Sequence, residues 1–138
     1  MILYDRTLCG HCFSDLRLIN TESLKNNIQF RSVYNEKKAK ADRYFVMFIR
    51  ENGLDHNRLG ISVSKKVGNS VVRHRLTRLI RESYRLHEDM FSSGLDIVVT
   101  VRGVKNNPQI IPLIVRMKRQ DVDRSLIYLA KKHGIYIN

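Results

Sequence analysis

Carboxylates are the scarce component of this chain. Thirteen aspartates and glutamates stand against twenty-five lysines and arginines in 138 residues, leaving a formal charge of +12. Such a surplus excludes a surface of evenly mixed sign and points to a polyanionic partner, because a protein that neutralises phosphates releases their condensed counterions. Nucleic acid ranks first as that partner and an anionic membrane surface second. Long apolar runs are missing too: the longest, residues 44–49 and 95–101, fall far short of the roughly 18 residues a membrane span needs. No membrane partner is therefore expected. The first residues lack a charged stretch followed by an apolar core, so no secretory signal is read and a cytoplasmic location is expected.

Cysteine is limited to Cys9 and Cys12, in the order Cys-Gly-His-Cys. Such a pair is half of a zinc site, a redox pair or two reduced thiols. A closed zinc site needs four well-placed ligands. With no second pair, and with His56, His74, His87 and His133 scattered along the chain, no metal site is expected. The redox reading lacks a surrounding βαβ pattern. Also missing are a glycine-rich phosphate loop, a Ser, His and Asp set, and a pair of acids at the spacing of a two-metal nuclease. No catalytic residue is assigned within the protein. Internal repeats and low-complexity segments are absent as well.

What is present is concentrated in residues 58–85, R-L-G-I-S-V-S-K-K-V-G-N-S-V-V-R-H-R-L-T-R-L-I-R-E-S-Y-R. Leu59, Ile61 and Val63 alternate with Gly60, Ser62 and Ser64, which predicts a strand with one apolar face and one small, polar face. Lys65 and Lys66 end it, Gly68 and Asn69 supply a turn, and Asn69 or Ser70 can cap a helix predicted from Ser70 to about His87. Val72, Leu76, Leu79, Ile80, Ser83 and Tyr84 share one side of that helix and form its buried stripe. His74, Arg78, Arg81 and Arg85 fall almost opposite, with Arg73 and Arg75 at the borders. Solvated helix faces mix signs four residues apart, whereas here arginine stacks on arginine, whose planar fork suits phosphate.

The run S-V-S-K-K-V-G-N-S-V-V-R-H-R-L-T-R-L-I-R-E, residues 62–82, closely resembles the signature of the bacterial ribonuclease P protein subunit. That subunit is the basic partner of the catalytic RNA that removes 5′ leaders from precursor tRNA. In element order the likeness covers roughly residues 21–134. It implies an α+β fold, a single-domain α/β sandwich with a sheet of about four strands in the order α-β-β-β-α-β-α. It also implies a left-handed βαβ crossover where general rules favour the right-handed one. Residues 1–20 read as an N-terminal extension, mobile or packed on the body, and residues 21–138 as the domain.

Within that domain, Thr21 or Ser23 opens a helix predicted to end near Asn35, with Phe30 and Tyr34 on one face. Those two aromatics read equally well as core or as a stacking platform for bases. Residues 36–42 are a charged connection or short edge strand. Residues 43–50 are a strong strand, predicted to pair antiparallel with residues 58–64 across the turn at 52–57. Residues 95–101 form an apolar interior strand. A last helix runs from Pro112 to about Lys132, with Val115, Val122, Leu126, Leu129 and Ala130 inward and Gly134 as its stop.

By resemblance, Lys65, Asn69, Arg73, His74, Arg75, Arg78, Arg81 and Arg85 bind the catalytic RNA. Phe30, Tyr34, Phe48, Ser62, Ser64, Lys66 and Arg73 hold the leader of precursor tRNA. Two positions depart from the family pattern: His74 stands where an asparagine is usual, and Thr77 where a lysine is usual. The resemblance further implies that the protein alone is inactive, that Mg²⁺ acts mainly through the RNA, and that no homo-oligomer forms in the holoenzyme. A basic ribosomal or assembly protein using the same ridge on another RNA is the alternative, and a DNA-binding role ranks lower because the helix lacks a helix-turn partner.

Overall fold

The computed structural model describes residues 21–24, 26–101 and 111–136. The extension bearing Cys9 and Cys12 lies outside the described residues, as does Pro108. Five strands form one sheet: β1 (Thr21–Ser23), β2 (Ala39–Ala41), β3 (Phe45–Glu51), β4 (Asn57–Ser62) and β5 (Leu95–Val101). The helices are α1 (Asn27–Asn35), α2 (Ser70–Leu86), α3 (Ile111–Val115) and α4 (Arg119–His133), with a short 3₁₀ turn at Glu88–Met90. The fold is mixed α+β, but the sheet has five strands rather than four. The element order also begins with a strand and ends with two helices.

The sheet runs β1-β4-β5-β3-β2. β3 and β4 are therefore not a hairpin pair. β5 lies between them, antiparallel to β3 with Met47 opposite Val99, and parallel to β4 with Leu59 opposite Ile97. The reason is burial. β5, L-D-I-V-V-T-V, is covered on both faces along nearly its whole length, and a strand apolar on both sides belongs at the centre of a sheet. β3 and β4 each have a face that is only half-buried and suit the flanks.

Alternation sorts the side chains. Phe45, Met47, Ile49, Leu59, Ile97, Val99 and Val101 point into the main core, where Leu76, Ile80 and Tyr84 of α2 and Val122, Leu126 and Leu129 of α4 meet them. On the opposite face Val98 contacts Leu24 and Val33, with Phe30, Tyr34 and Phe48 packed around them under α1. Both helices of the main core lie on one face, and among the described residues α1 is the helix that partly covers the other.

Two local departures from the sequence expectation have visible causes. Thr21 and Ser23 do not cap α1; they extend beside β4, and the cap is Asn26, which accepts from the Gln29 amide at 2.9 Å. The Thr21 hydroxyl shares a hydrogen bond of 3.1 Å with the buried Tyr84 hydroxyl, an anchor that favours the strand. The last helix is interrupted at 116–118, where the Arg75 guanidinium donates to the Val115 and Met117 carbonyls at 2.9 and 2.7 Å. Those carbonyls, which a continuous helix would satisfy internally, are capped from outside instead. Asp121 then starts α4 by accepting from the Lys118 amide at 3.0 Å, and that bond holds its carboxyl below the usual range. Gly134 ends α4 at φ +75°, a left-handed residue of the kind glycine favours.

Candidate nucleic-acid interface

α2 carries the cationic face. Asn69 caps it by accepting from the Val72 amide at 3.0 Å. Gly68 sits so close to Val72 that a Cβ there would come within 2.9 Å of it, which fixes a tight entry into the helix. Leu76, Ile80, Ser83 and Tyr84 are buried, and Val72 and Leu79 pack against the core while half-exposed, so the predicted stripe is the observed one.

The arginines divide by environment. Arg78 and His74 are exposed and, with Val71, Leu79 and Glu82, line a shallow groove of about 350 Å³. Arg75 is also exposed, but its guanidinium is engaged with the α3–α4 turn. Arg73 is half-buried and its Nε donates to the Gly68 carbonyl at 3.3 Å, tightening the turn before the helix. Thr77 bonds back to the Arg73 carbonyl at 2.9 Å. Arg85 is half-buried. Arg81 is only 3% exposed, so it does not stand on the solvent ridge where the helical wheel put it. A wheel of α2 alone does not show that burial, and α4 meets α2 on the other flank, through Glu82 and Ser83.

The second group lies across the sheet. Tyr34 meets Phe48 edge-on with ring centroids 4.8 Å apart, and Phe30 lies 6.4 Å from Tyr34. All three are half-exposed beside buried Val33 and Val98. The approach requires Gly60: a Cβ there would meet the Phe30 ring at 2.7 Å and the Leu24 methyl at 2.9 Å. Ser62 lies one row further along, level with Thr100 and Val46, all half-exposed. Ser64 and Lys66 are exposed in the turn, where the Ser64 hydroxyl accepts from the Lys66 amide at 3.2 Å. Lys65 is exposed beside them, and buried Val67 pins the turn to the core. Two surfaces thus emerge, an arginine-bearing helix face and a cleft with an aromatic floor, joined by the turn at residues 64–69.

Comparison with known proteins shows the family. Residues 18–132 match the family model described as Ribonuclease P. The chain belongs to the ribonuclease P protein family. It is 50% identical over 115 residues to the Ribonuclease P protein component of Lachnoclostridium phytofermentans, covering 83% of this chain and 91% of that one. It is 41% identical over 114 residues to a Clostridium botulinum protein of the same name, covering 82% and 95%. Among solved structures, the Staphylococcus aureus RNase P protein aligns with a TM-score of 0.69 at 32% identity, over 83% of this chain and 96% of that one. The RNase P protein from Thermotoga maritima aligns with a TM-score of 0.70 at 32% identity, over 80% and 96%.

The RNase P protein fold here also carries a charged row that the sequence pattern did not reveal. Glu22, Arg58, Asp96 and Arg50 stand in register across β1, β4, β5 and β3, alternating in sign on the α1 side of the sheet. Asp96 is fully buried and held by Arg58 through two bonds of 2.7 Å, by Asn52 Nδ2 at 2.9 Å and by Arg50 at 3.7 Å. This pairing raises the Arg58 pKa further above its ordinary value. The available signal was Asp96 itself, a single carboxylate inside an otherwise apolar run, which must find partners when buried.

Proposed function

We propose that this chain is the protein subunit of ribonuclease P, binding the catalytic RNA through the exposed cations of α2 and the 5′ leader of precursor tRNA in the cleft under α1. In this reading it assists endonucleolytic removal of the leader, giving the mature tRNA 5′ end. Folded RNA offers dense phosphate, which Arg78 and the cations around the 64–69 turn can neutralise while releasing counterions. A single strand offers unstacked bases, which a platform such as Phe30, Tyr34 and Phe48 can receive, with Ser62, Ser64 and Lys66 near the backbone. The observation that carries the reading is that an exposed cationic helix face and a group of half-exposed aromatic rings occur on one small domain.

The described residues contain no group of three or more His, Cys, Asp or Glu placed to hold a metal ion. No step is therefore assigned to a protein-held metal, and Mg²⁺ is proposed to act through the RNA subunit, which supplies the hydrolysis. Among the described residues no helix is long and apolar enough to cross a membrane, and work on precursor tRNA would place the protein in the cytoplasm.

The test is cleavage of a precursor tRNA by a bacterial RNase P RNA at low Mg²⁺, with and without this protein. Cleavage at the mature 5′ end only when the protein is present is the expected outcome. RNA binding that never restores cleavage would leave a generic RNA-binding module instead.

A further inference from the structure

On the far side of the domain from α2, a second set of cations surrounds a concave surface that none of the roles above uses. Lys37, Lys38 and Lys40 arrive from the α1–β2 connection and the edge strand, Arg50 from β3, and Lys132 and His133 from the end of α4. Together with aliphatic Ile49, Leu95 and Ile135, and with Glu51 as the one carboxylate against five Lys and Arg side chains, they line a groove of about 570 Å³. α2 packs over β4 and against α4, whereas α4 reaches β2 and β3. Lys40 on β2 is therefore three strand spacings from β4, roughly 14 Å across the sheet.

We propose that this crescent is a second phosphate-binding surface, which engages a segment of the RNA subunit separate from the one α2 contacts. The proposal rests on the ribonuclease P reading and adds a second point of attachment. The bland alternative is that edge-strand lysines merely keep β2 from pairing with another chain, and Lys38 and Lys40 alone would serve that purpose. Three observations go beyond it. Among the described residues, no carboxylate lies within ion-pair distance of Lys37, Lys38, Lys40 or Lys132. Lys37 adopts φ +58°, a left-handed conformation in which glycine or asparagine is preferred, so a cation is kept where the backbone favours a smaller residue. His133 donates to the Met47 carbonyl at 2.8 Å, locking the end of α4 onto the sheet and fixing Lys132 relative to the strand lysines.

The chemistry of the groove selects the partner. Its lining holds no Phe, Tyr or Trp, and its one ring, the His133 imidazole, is tied to the Met47 carbonyl, so it suits phosphates presented by folded RNA better than unstacked bases. Exposed Tyr128 beside it is covered by the Lys132 ammonium at 5.0 Å from the ring centroid.

The test compares wild type, a Lys38→Gln/Lys40→Gln/Lys132→Gln triple variant, its Lys→Arg counterpart, and Arg78→Ala for binding to a bacterial RNase P RNA across a salt series. With all four chains folded by circular dichroism, the Gln triple is expected to bind more weakly. Its salt slope should be shallower by roughly 0.9 for each phosphate it no longer neutralises, with the Arg triple close to wild type. The weakening should combine multiplicatively with that of Arg78→Ala, as independent sites do, and the footprint on the RNA should change at a different segment. Wild-type affinity and slope in the Gln triple would reduce the crescent to edge protection and overturn the proposal. So would a weakening confined to precursor tRNA with a long leader, which would move the crescent to the substrate. A Gln triple that binds more weakly, combined with a wild-type protein that never restores cleavage, would instead sink the ribonuclease P reading and leave the second surface standing.

Discussion

Arg58 grips Asp96 across the β4–β5 boundary with both arms of its fork, Nε to Oδ1 and Nη2 to Oδ2, each at 2.7 Å. The carboxylate is completely buried, while Arg58 retains 19% of its side-chain exposure and can rehydrate if left alone. The two partners are therefore not equivalent. Arg58→Met leaves a buried charge with Asn52 and the more distant Arg50, and should cost about 3 kcal/mol in urea denaturation, near the lower end for a broken buried pair. Asp96→Asn keeps the shape and leaves an arginine that still reaches solvent, so it should cost less. Equal losses would mean that the pair's burial is not what sets its energetics.

Gly60 makes the aromatic cleft possible, because Phe30 lies directly over its α-carbon. Gly60→Val should force α1 away from the sheet. Overpacking of this kind costs about 1–3 kcal/mol, and binding of a single-stranded leader should weaken while affinity for the RNA subunit holds. A leader affinity unchanged in a folded Gly60→Val variant would remove Phe30 from the proposed platform.

The arginines of α2 should separate cleanly under mutation. Arg78→Ala, exposed and in the open groove, should leave thermal stability within about 0.5 kcal/mol of wild type and lower RNA affinity with a shallower salt slope. Arg75→Ala releases the Val115 and Met117 carbonyls and should lower stability by about 1–3 kcal/mol as well. Arg81→Ala, at a buried position, should show its main effect on stability. Thermal melts alongside salt-dependent binding resolve the three, and an Arg81→Ala protein as stable as wild type would contradict its buried placement.

His56 ties β1 to the loop before β4, with Asp55 at one ring nitrogen at 2.8 Å and Glu22 at the other. Both contacts favour the doubly protonated ring, and the bond to Asp55 is the larger cause of a pKa raised above the ordinary histidine value. A group whose pKa is raised by folding contributes stability that is fully present below the unfolded value and is lost as pH rises through the folded one. The link should thus be intact in mild acid and loosen on the alkaline side of the unfolded value of 6.5. The protection factor of the Leu24 amide, which donates to the Leu59 carbonyl at 2.9 Å, should fall over that range in wild type and be flat in His56→Gln. A flat profile in both would discard the tie.

The helix that dominates the charge of this chain was legible because its signals are local: a cap at Asn69, a 3.6-residue stripe, and cations on the remaining face. The strand at β4 was legible for the same reason, through its alternation. What was not legible depends on distant partners. Thr21 becomes a strand because Tyr84 awaits its hydroxyl, the last helix breaks because Arg75 reaches its carbonyls, and Arg81 is buried although a wheel of α2 alone gives it to solvent. The pairing of β3 with β4 failed for a related cause. A turn at 52–57 is a local hairpin signal, and the competing claim of β5 comes from a segment beyond α2.

That insertion of β5 sets an order of events in time. As the chain leaves the ribosome, β3 and β4 emerge with no direct partnership, and the sheet stays open until residues 95–101 arrive to bridge them. Helix α2 is complete by then, with its apolar stripe waiting for a floor that only β5 finishes. Closing such long-range pairings is slow compared with helix formation. The nascent chain therefore passes through an interval in which its basic helix exists before its core does, and a chain truncated before Leu95 should remain in that state.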